Sequence, residues 1–413
     1  MPKQSTSAPA APIPDSAPIT VVVLLLLVVS VFQLGTGVVS ALVPIKLANS
    51  GFQPSVLGWI STAFSVGFLA GCVGAALVIN ALGVNRAIVA FAMAQVAATL
   101  LLAATANPHA WAVSRGISGF AVASLLVLVE AWLGSAATTE TRGRIFGIYM
   151  VLSRLAFTLG QVALAVFDPS AIGLLAAAAL ASLLSPWPAY AIPGGAPVIG
   201  RKSGPDLSGL PFTVPAAAAA SFVHGVLGTC GPALLPLYAF ARGLTVDQVA
   251  LLLAAIPLGG LLFQIPFSYL SDRVGRRTMM AISALATMAL SAVYLLPALP
   301  GFGWLLLLTL LWGGAPAPLY LLAAAHANDI ATDAQRVGWS STLLLLWGLG
   351  AAVGPLAASH LMERAGYDAL FWFAGALSLA LCLFLLLRKL IRARGQFRAP
   401  TGETIGPAPG ASG

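Results

Sequence analysis

The chain has 413 residues, of which 59% are hydrophobic and only 8% charged, against about 25% charged in soluble domains. That deficit excludes an ordinary soluble fold. The formal net charge of +8 would point to nucleic acid in a soluble protein, but the basic residues fall mostly in short breaks between apolar runs, where membrane topology accounts for them and no nucleic-acid partner is expected.

The first 18 residues are rich in Pro, Ala and Ser and lead into an apolar run too long for a signal peptide, so a disordered cytoplasmic segment (1–18) ahead of a retained first helix is expected. Apolar runs long enough to cross a bilayer then follow at 19–47, 54–80, 84–106, 109–134, 143–167 and 170–192. After a Gly/Pro-rich interval at 193–211, read as a cytoplasmic linker, they resume at 212–240, 245–270, 277–298, 301–328, 335–361 and 366–389. No run alternates like a barrel strand, which leaves helices as the way to satisfy the backbone in lipid. The expected fold is all-α and integral to the membrane: twelve transmembrane helices in two six-helix halves, 19–192 and 212–389, with a disordered basic tail over 390–413.

Five pairs stand 192 residues apart: Pro44 and Pro236, Gly51 and Gly243, Asn80 and Asp272, Gly83 and Gly275, Arg144 and Arg336. This register points to a duplicated, parallel repeat. With the N-terminus inside, fifteen Lys and Arg lie in cytoplasmic segments and three, Lys46, Arg242 and Arg364, on the other side. The bias predicts a multi-pass protein of the cytoplasmic (inner) membrane with both termini cytoplasmic. Cys72, Cys230 and Cys382 stand singly inside apolar runs, so neither a metal nor a cofactor is expected.

Between the eighth and ninth spans the chain reads Ser268-Tyr269-Leu270-Ser271-Asp272-Arg273-Val274-Gly275-Arg276-Arg277. A carboxylate at a helix end attracts guanidinium groups and a neighbouring helix N-terminus, while the glycine permits a tight turn. The first-half counterpart keeps Gly83 and Arg86 but has Asn80 in place of the acid. This loop closely resembles the G-x-L-x-D-R-x-G-R-R signature of the major facilitator superfamily, and Arg115-Gly116-Ile117-Ser118-Gly119 resembles the R-x-x-x-G element of the family's fourth helix. Val129-Glu130-Ala131, Arg142-Gly143-Arg144, Tyr149 and Gly160-Gln161 look like the YcaD-like branch, from which Arg154 departs, since an aromatic is expected there. The resemblance implies a six-plus-six transporter with its solute site between the halves near the bilayer midplane, and a conformational latch formed by Asp272, Arg273, Gly275, Arg276 and Arg277 with Asn80, Gly83 and Arg86.

Of the 12 acidic residues, Glu130 alone lies deep inside a predicted span. A buried charge costs several kcal/mol in lipid unless paired or hydrated. The hairpin of the fourth and fifth spans, turning near Glu140 to Arg142, predicts Glu130 and Arg154 at similar depth and able to pair. Two readings stand: a structural ion pair, or a coupling or solute-binding carboxylate. Arg115, 15 residues and about 22 Å before Glu130 on the same helix, serves another part of the pathway, as a conformational or coupling residue ahead of a substrate anchor. Gln33, Tyr149, Gln161, His224 and Gln264 are polar groups in apolar helices, each either cavity-facing or an interhelical hydrogen-bonding group. Tyr320, Trp339 and Trp347 offer stacking surfaces or core packing. His326, Asn328, Asp329 and Asp333 read as a solvated helix end beside Arg336 rather than a metal site.

No phosphate-cradling loop, nucleophile elbow or zinc-protease helix occurs, so neither ATP-driven pumping nor an enzyme is expected. The expected function is alternating-access transport of a small neutral, zwitterionic or singly charged solute. The cavity is expected between spans one, four, five, seven, eight, ten and eleven, with coupling to protons and uptake favoured over drug or metabolite efflux. A sensor or assembly factor of the same fold is the alternative from another class. A monomer embedded in the lipid bilayer suffices for transport.

Overall fold

The computed structural model describes residues 17–138, 140–167, 172–192, 206, 209–296 and 301–396. Among these, the chain is built of helices joined by short turns. The first half contains α1 (Ala17–Asn49), α2 (Pro54–Leu82), α3 (Val84–Ala104), α4 (Pro108–Ala136), α5 (Arg142–Val166), α6 (Ile172–Leu184) and α7 (Trp187–Tyr190). The short α8 (Leu210–Thr213) leads into the second half: α9 (Pro215–Ala241), α10 (Val246–Val274), α11 (Arg276–Tyr294), α12 (Phe302–Gly314), α13 (Pro318–Asn328), α14 (Asp333–Ala365) and α15 (Ala369–Gln396). Twelve of these stretches are long and apolar enough to cross a membrane, with α6–α7 and α12–α13 each making one span.

Local chemistry sets the boundaries. Proline opens α2, α4, α9 and α13, where its missing N–H has no intrahelical partner to lose. Thr245 with Gln248, and Thr332 with Gln335, close reciprocal capping boxes at the starts of α10 and α14. The expected repeat is visible in the backbone: Gly51 and Gly243 turn at φ of 74° and 78°, and Gly83 and Gly275 at 79° and 96°. Left-handed values of this kind suit glycine at both members of each pair.

Three expectations need correction or lie outside the described residues. The tail is not irregular from residue 390, because α15 continues to Gln396. The tenth span is not one helix: Gly313-Gly314-Ala315-Pro316-Ala317-Pro318 breaks it between α12 and α13, since Pro316 and Pro318 each lack a helical donor. The N-terminal segment before residue 17, most of the 193–211 linker and the chain after 396 lie outside the described residues.

Within each half, helices cross at small residues. A β-carbon on Gly67 of α2 would run into the Gly116 carbonyl of α4, and one on Gly259 of α10 into the Leu310 carbonyl of α12. These two glycines are again 192 residues apart. Likewise Gly160 of α5 lies on Leu34 of α1, and Gly225 of α9 on Trp347 of α14. Without a hydrophobic drive between helices in lipid, such close backbone approach supplies the packing.

The halves meet along α2 and α14. Ser55 N–H donates to Glu363 Oε1 at 2.8 Å, Thr62 Oγ1 to the Ala352 carbonyl at 2.7 Å, and Ser65 Oγ to the Ala351 carbonyl at 3.0 Å. The Phe68 and Trp347 rings follow, their centroids 5.4 Å apart. The three hydrogen bonds lie between the middle of each helix and the end remote from the chain termini, and the ring pair lies at mid-depth. That end of the bundle is sealed.

Gly225→Ala should lower stability by about 1–3 kcal/mol through overpacking, whereas Gly147→Ala, with no heavy atom within 4 Å of its new β-carbon, should be neutral or stabilising by up to about 1 kcal/mol. Thermal unfolding of the two purified variants checks this; equal melting temperatures would contradict the crossing geometry.

Candidate functional site

A cavity of about 170 Å³ lies between the halves, lined by Arg154, His224, Gly228, Gly260, Trp312 and Trp347 among others. Arg154 is the midpoint of α5, Gly228 of α9 and Gly260 of α10, and Trp347 falls two residues before the midpoint of α14. The cavity therefore sits at mid-depth of the bundle. It is roomy because glycine lines it: a β-carbon on Gly260 would stand 3.6 Å from Arg154 Nη1, and one on Gly231 would touch the Trp312 ring.

Arg154 is the lining residue from the first half, and the second half supplies the facing wall. His224 is held by its Nδ1, 2.9 Å from the carbonyl of Pro316 in the break between α12 and α13, which also accepts from Leu319 N–H. A carbonyl only accepts, so Nδ1 carries the proton and Nε2 of the neutral ring is an acceptor. Tyr320 stands behind, its ring 6.3 Å from that of His224. Trp312 is anchored by Nε1–H donation to Ser291 Oγ at 2.9 Å, and Thr287 by donation to the Ser283 carbonyl at 2.9 Å.

The expected Glu130–Arg154 ion pair is not formed. Instead Tyr149 donates to Glu130 Oε1 at 3.0 Å. The reason is the turn: α4 ends at Ala136 and α5 starts at Arg142, which sets Tyr149 level with Glu130 and Arg154 five residues deeper, about 8 Å along the axis. Glu130 is exposed on α4.

The remaining sequence candidates divide. Of Trp339 and Trp347, only Trp347 reaches the cavity; Trp339 is buried with Nε1 donating to Asp206 Oδ2 at 3.2 Å, which fastens this linker residue to the start of α14. Gln33 donates to Ser153 Oγ at 3.3 Å, leaving Oε1 without a partner, and the Oε1 of buried Gln161 also lacks one; both lie on the α1–α5 seam outside the cavity. Gln264 lies one turn from Gly260 on α10 and outside the lining. Arg115 is buried towards the sealed end, its guanidinium 4.2 Å over the Phe64 ring and Nη1 without a partner. Spans one and four contribute no lining residue, while α11 enters through Thr287.

The latch is local to the second half. Arg276 pairs with Asp272 at 2.6 Å and Asp329 at 3.4 Å and bonds Ser271; Arg277 donates to His326 Nε2 at 2.9 Å; Arg273 donates to the Tyr269 hydroxyl at 2.8 Å. A second cavity of about 460 Å³ opens among these groups. Asp329 thus answers Arg276, and His326 answers Arg277. Asn80, Gly83 and Arg86 are exposed, and Gly83 makes the matching turn.

Sequence reasoning missed Trp312, Thr287 and Gly260. The Gly/Pro interruption at 313–318 was the available signal, since discontinuous helices mark binding sites in transporters.

The Major Facilitator Superfamily model matches residues 216–409. An uncharacterized MFS-type transporter of Yersinia pestis (strain Pestoides F) is 27% identical over 385 residues, covering 89% of this chain and 95% of the relative. An uncharacterized MFS-type transporter YcaD of Salmonella arizonae is 25% identical over 392 residues, covering 92% and 97%. The solved nucleoside transporter NupG superposes with a TM-score of 0.72 at 14% identity, over 90% of this chain and 98% of that one.

The latch pairs are solvent-exposed, so each contributes at most about 1 kcal/mol. Asp329→Asn should accordingly shift the melting temperature by no more than a few degrees, and 0.5 M salt should erase the difference from wild type. A large, salt-independent loss would show the pair to be buried in function.

Proposed function

We propose that this chain, a major facilitator transporter of a small solute, works by proton-coupled alternating access, with Glu130 as the coupling carboxylate and the cavity around Arg154 as the solute site. It is a multi-pass membrane protein and not an enzyme. The observation that carries the reading is a mid-depth cavity shared by the two halves below a seal at one end of α2 and α14. Rocking the halves about this cavity exchanges which end is closed.

Glu130 fits the coupling role on physical grounds. An ionised carboxylate facing lipid is costly, so an exposed one in a membrane helix faces water or the bundle interior. Tyr149 holds it in place, about 8 Å along the axis from Arg154 on the neighbouring helix. Protonation of Glu130 removes a charge at that distance and changes the field at the solute site.

Uptake is the preferred direction, because the fifth span carries Gly160-Gln161 without the G-x-x-x-G-P of many antiporters of the superfamily. Efflux is the second reading, favoured by Gly350-Ala351-Ala352-Val353-Gly354-Pro355 in α14. With the termini in the cytoplasm, the end held by α2 and α14 faces outward.

Glu130→Gln should express and unfold like the wild type, keep solute exchange in proteoliposomes and lose accumulation driven by a pH gradient. Full retention of gradient-driven accumulation would sink the coupling role. Binding without any exchange in the wild type would favour a sensor.

A further inference from the structure

The central cavity offers an unusual balance of hydrogen-bonding groups. Arg154 brings five donors in a planar fork, and no described ion pair joins it to a carboxylate. Thr287 and Trp312 spend their donors on Ser283 and Ser291. His224 has spent Nδ1 on Pro316 and has one acceptor to offer. No Asp or Glu lines the cavity. The rest of the wall is glycine, aliphatic carbon and the two indole rings of Trp312 and Trp347.

Each feature narrows the occupant. A cation or a zwitterion's ammonium has no carboxylate to meet, and a polyol has too few partners for its hydroxyls. A guanidinium held at mid-depth is stabilised by a counter-charge, and its fork matches a carboxylate with two parallel hydrogen bonds. The volume of about 170 Å³ compares with about 150 Å³ for a protein cavity that takes one benzene molecule. It falls below the roughly 300–1,000 Å³ of drug-sized pockets. Flat apolar groups stack favourably on indole faces.

We propose that this cavity binds a small monocarboxylate with a flat apolar body, its carboxylate on Arg154 and its ring against Trp312 and Trp347. The proposal rests on the cavity being the transported solute's site and deepens that reading. It carries an electrical consequence: a solute anion on Arg154 and a proton on Glu130 crossing together move no net charge, so the membrane potential neither drives nor opposes the step.

The test uses the full-length protein in detergent and two probes of equal shape, benzoate and benzamide, followed by calorimetry and thermal shift. Benzoate should bind at least tenfold more tightly than benzamide. Arg154→Gln should abolish that preference and Arg154→Lys should restore part of it. Equal binding of the two probes by the wild type, unchanged benzoate binding in Arg154→Gln, or no benzoate binding at all would each overturn the proposal. The wild-type comparison stands even if the variants fail to fold. Benzoate binding without benzoate exchange in proteoliposomes would leave this site intact and overturn the transport reading. Exchange of neutral solutes with no benzoate binding would do the reverse.

Discussion

A guanidinium at the centre of a membrane helix dictates much of what surrounds it. Arg154 occupies the midpoint of α5, where exposure to hydrocarbon is costly. The helix must therefore turn this residue inward, across the space between the halves, and the opposite wall must make room. Gly260, Gly228 and Gly231 provide that room, and His224 is held by the Pro316 carbonyl in the break between α12 and α13. The interruption at 313–318, the small residues and the inward face of α5 are consequences of one charge.

The scaffold that holds this arrangement is built twice. Left-handed glycines at 51 and 243, and at 83 and 275, close equivalent turns, and Gly67 and Gly259 let equivalent helices cross. The halves diverge where chemistry is placed. Arg154 has no counterpart cation in the second half, since position 346 is leucine. The acid of the second-half latch, Asp272, has only Asn80 opposite it, and its ion pairs stay within the second half. Symmetry thus serves packing, and its local loss serves charge placement.

The sequence disclosed the spans because hydropathy over twenty residues is set by the bilayer and not by neighbours. It disclosed the repeat because turn glycines are fixed by backbone angle. Contacts between helices were less legible. Pairing Glu130 with Arg154 required the turn to be centred three residues later than the 137–141 connection, and the slip exchanged one partner for another, Tyr149. Trp312 looks like any aromatic in an apolar run; its place in the cavity depends on Ser291 anchoring its nitrogen from a neighbouring helix. Gln33 and Gln161 were equally ambiguous, and packing put them on a seam.

The polar part of the seal between α2 and α14 is three hydrogen bonds, to a carboxylate and two main-chain carbonyls. Each contributes about 1 kcal/mol net, because water replaces the lost partner when the bond opens. Together they bias the closed form by about 3 kcal/mol, a factor of roughly a hundred in population. A bias of that size is small against what a bound solute can contribute by preferring one form. The gate behaves as a weighted hinge that the occupant of the cavity can tip, so the solute itself decides which end stands open.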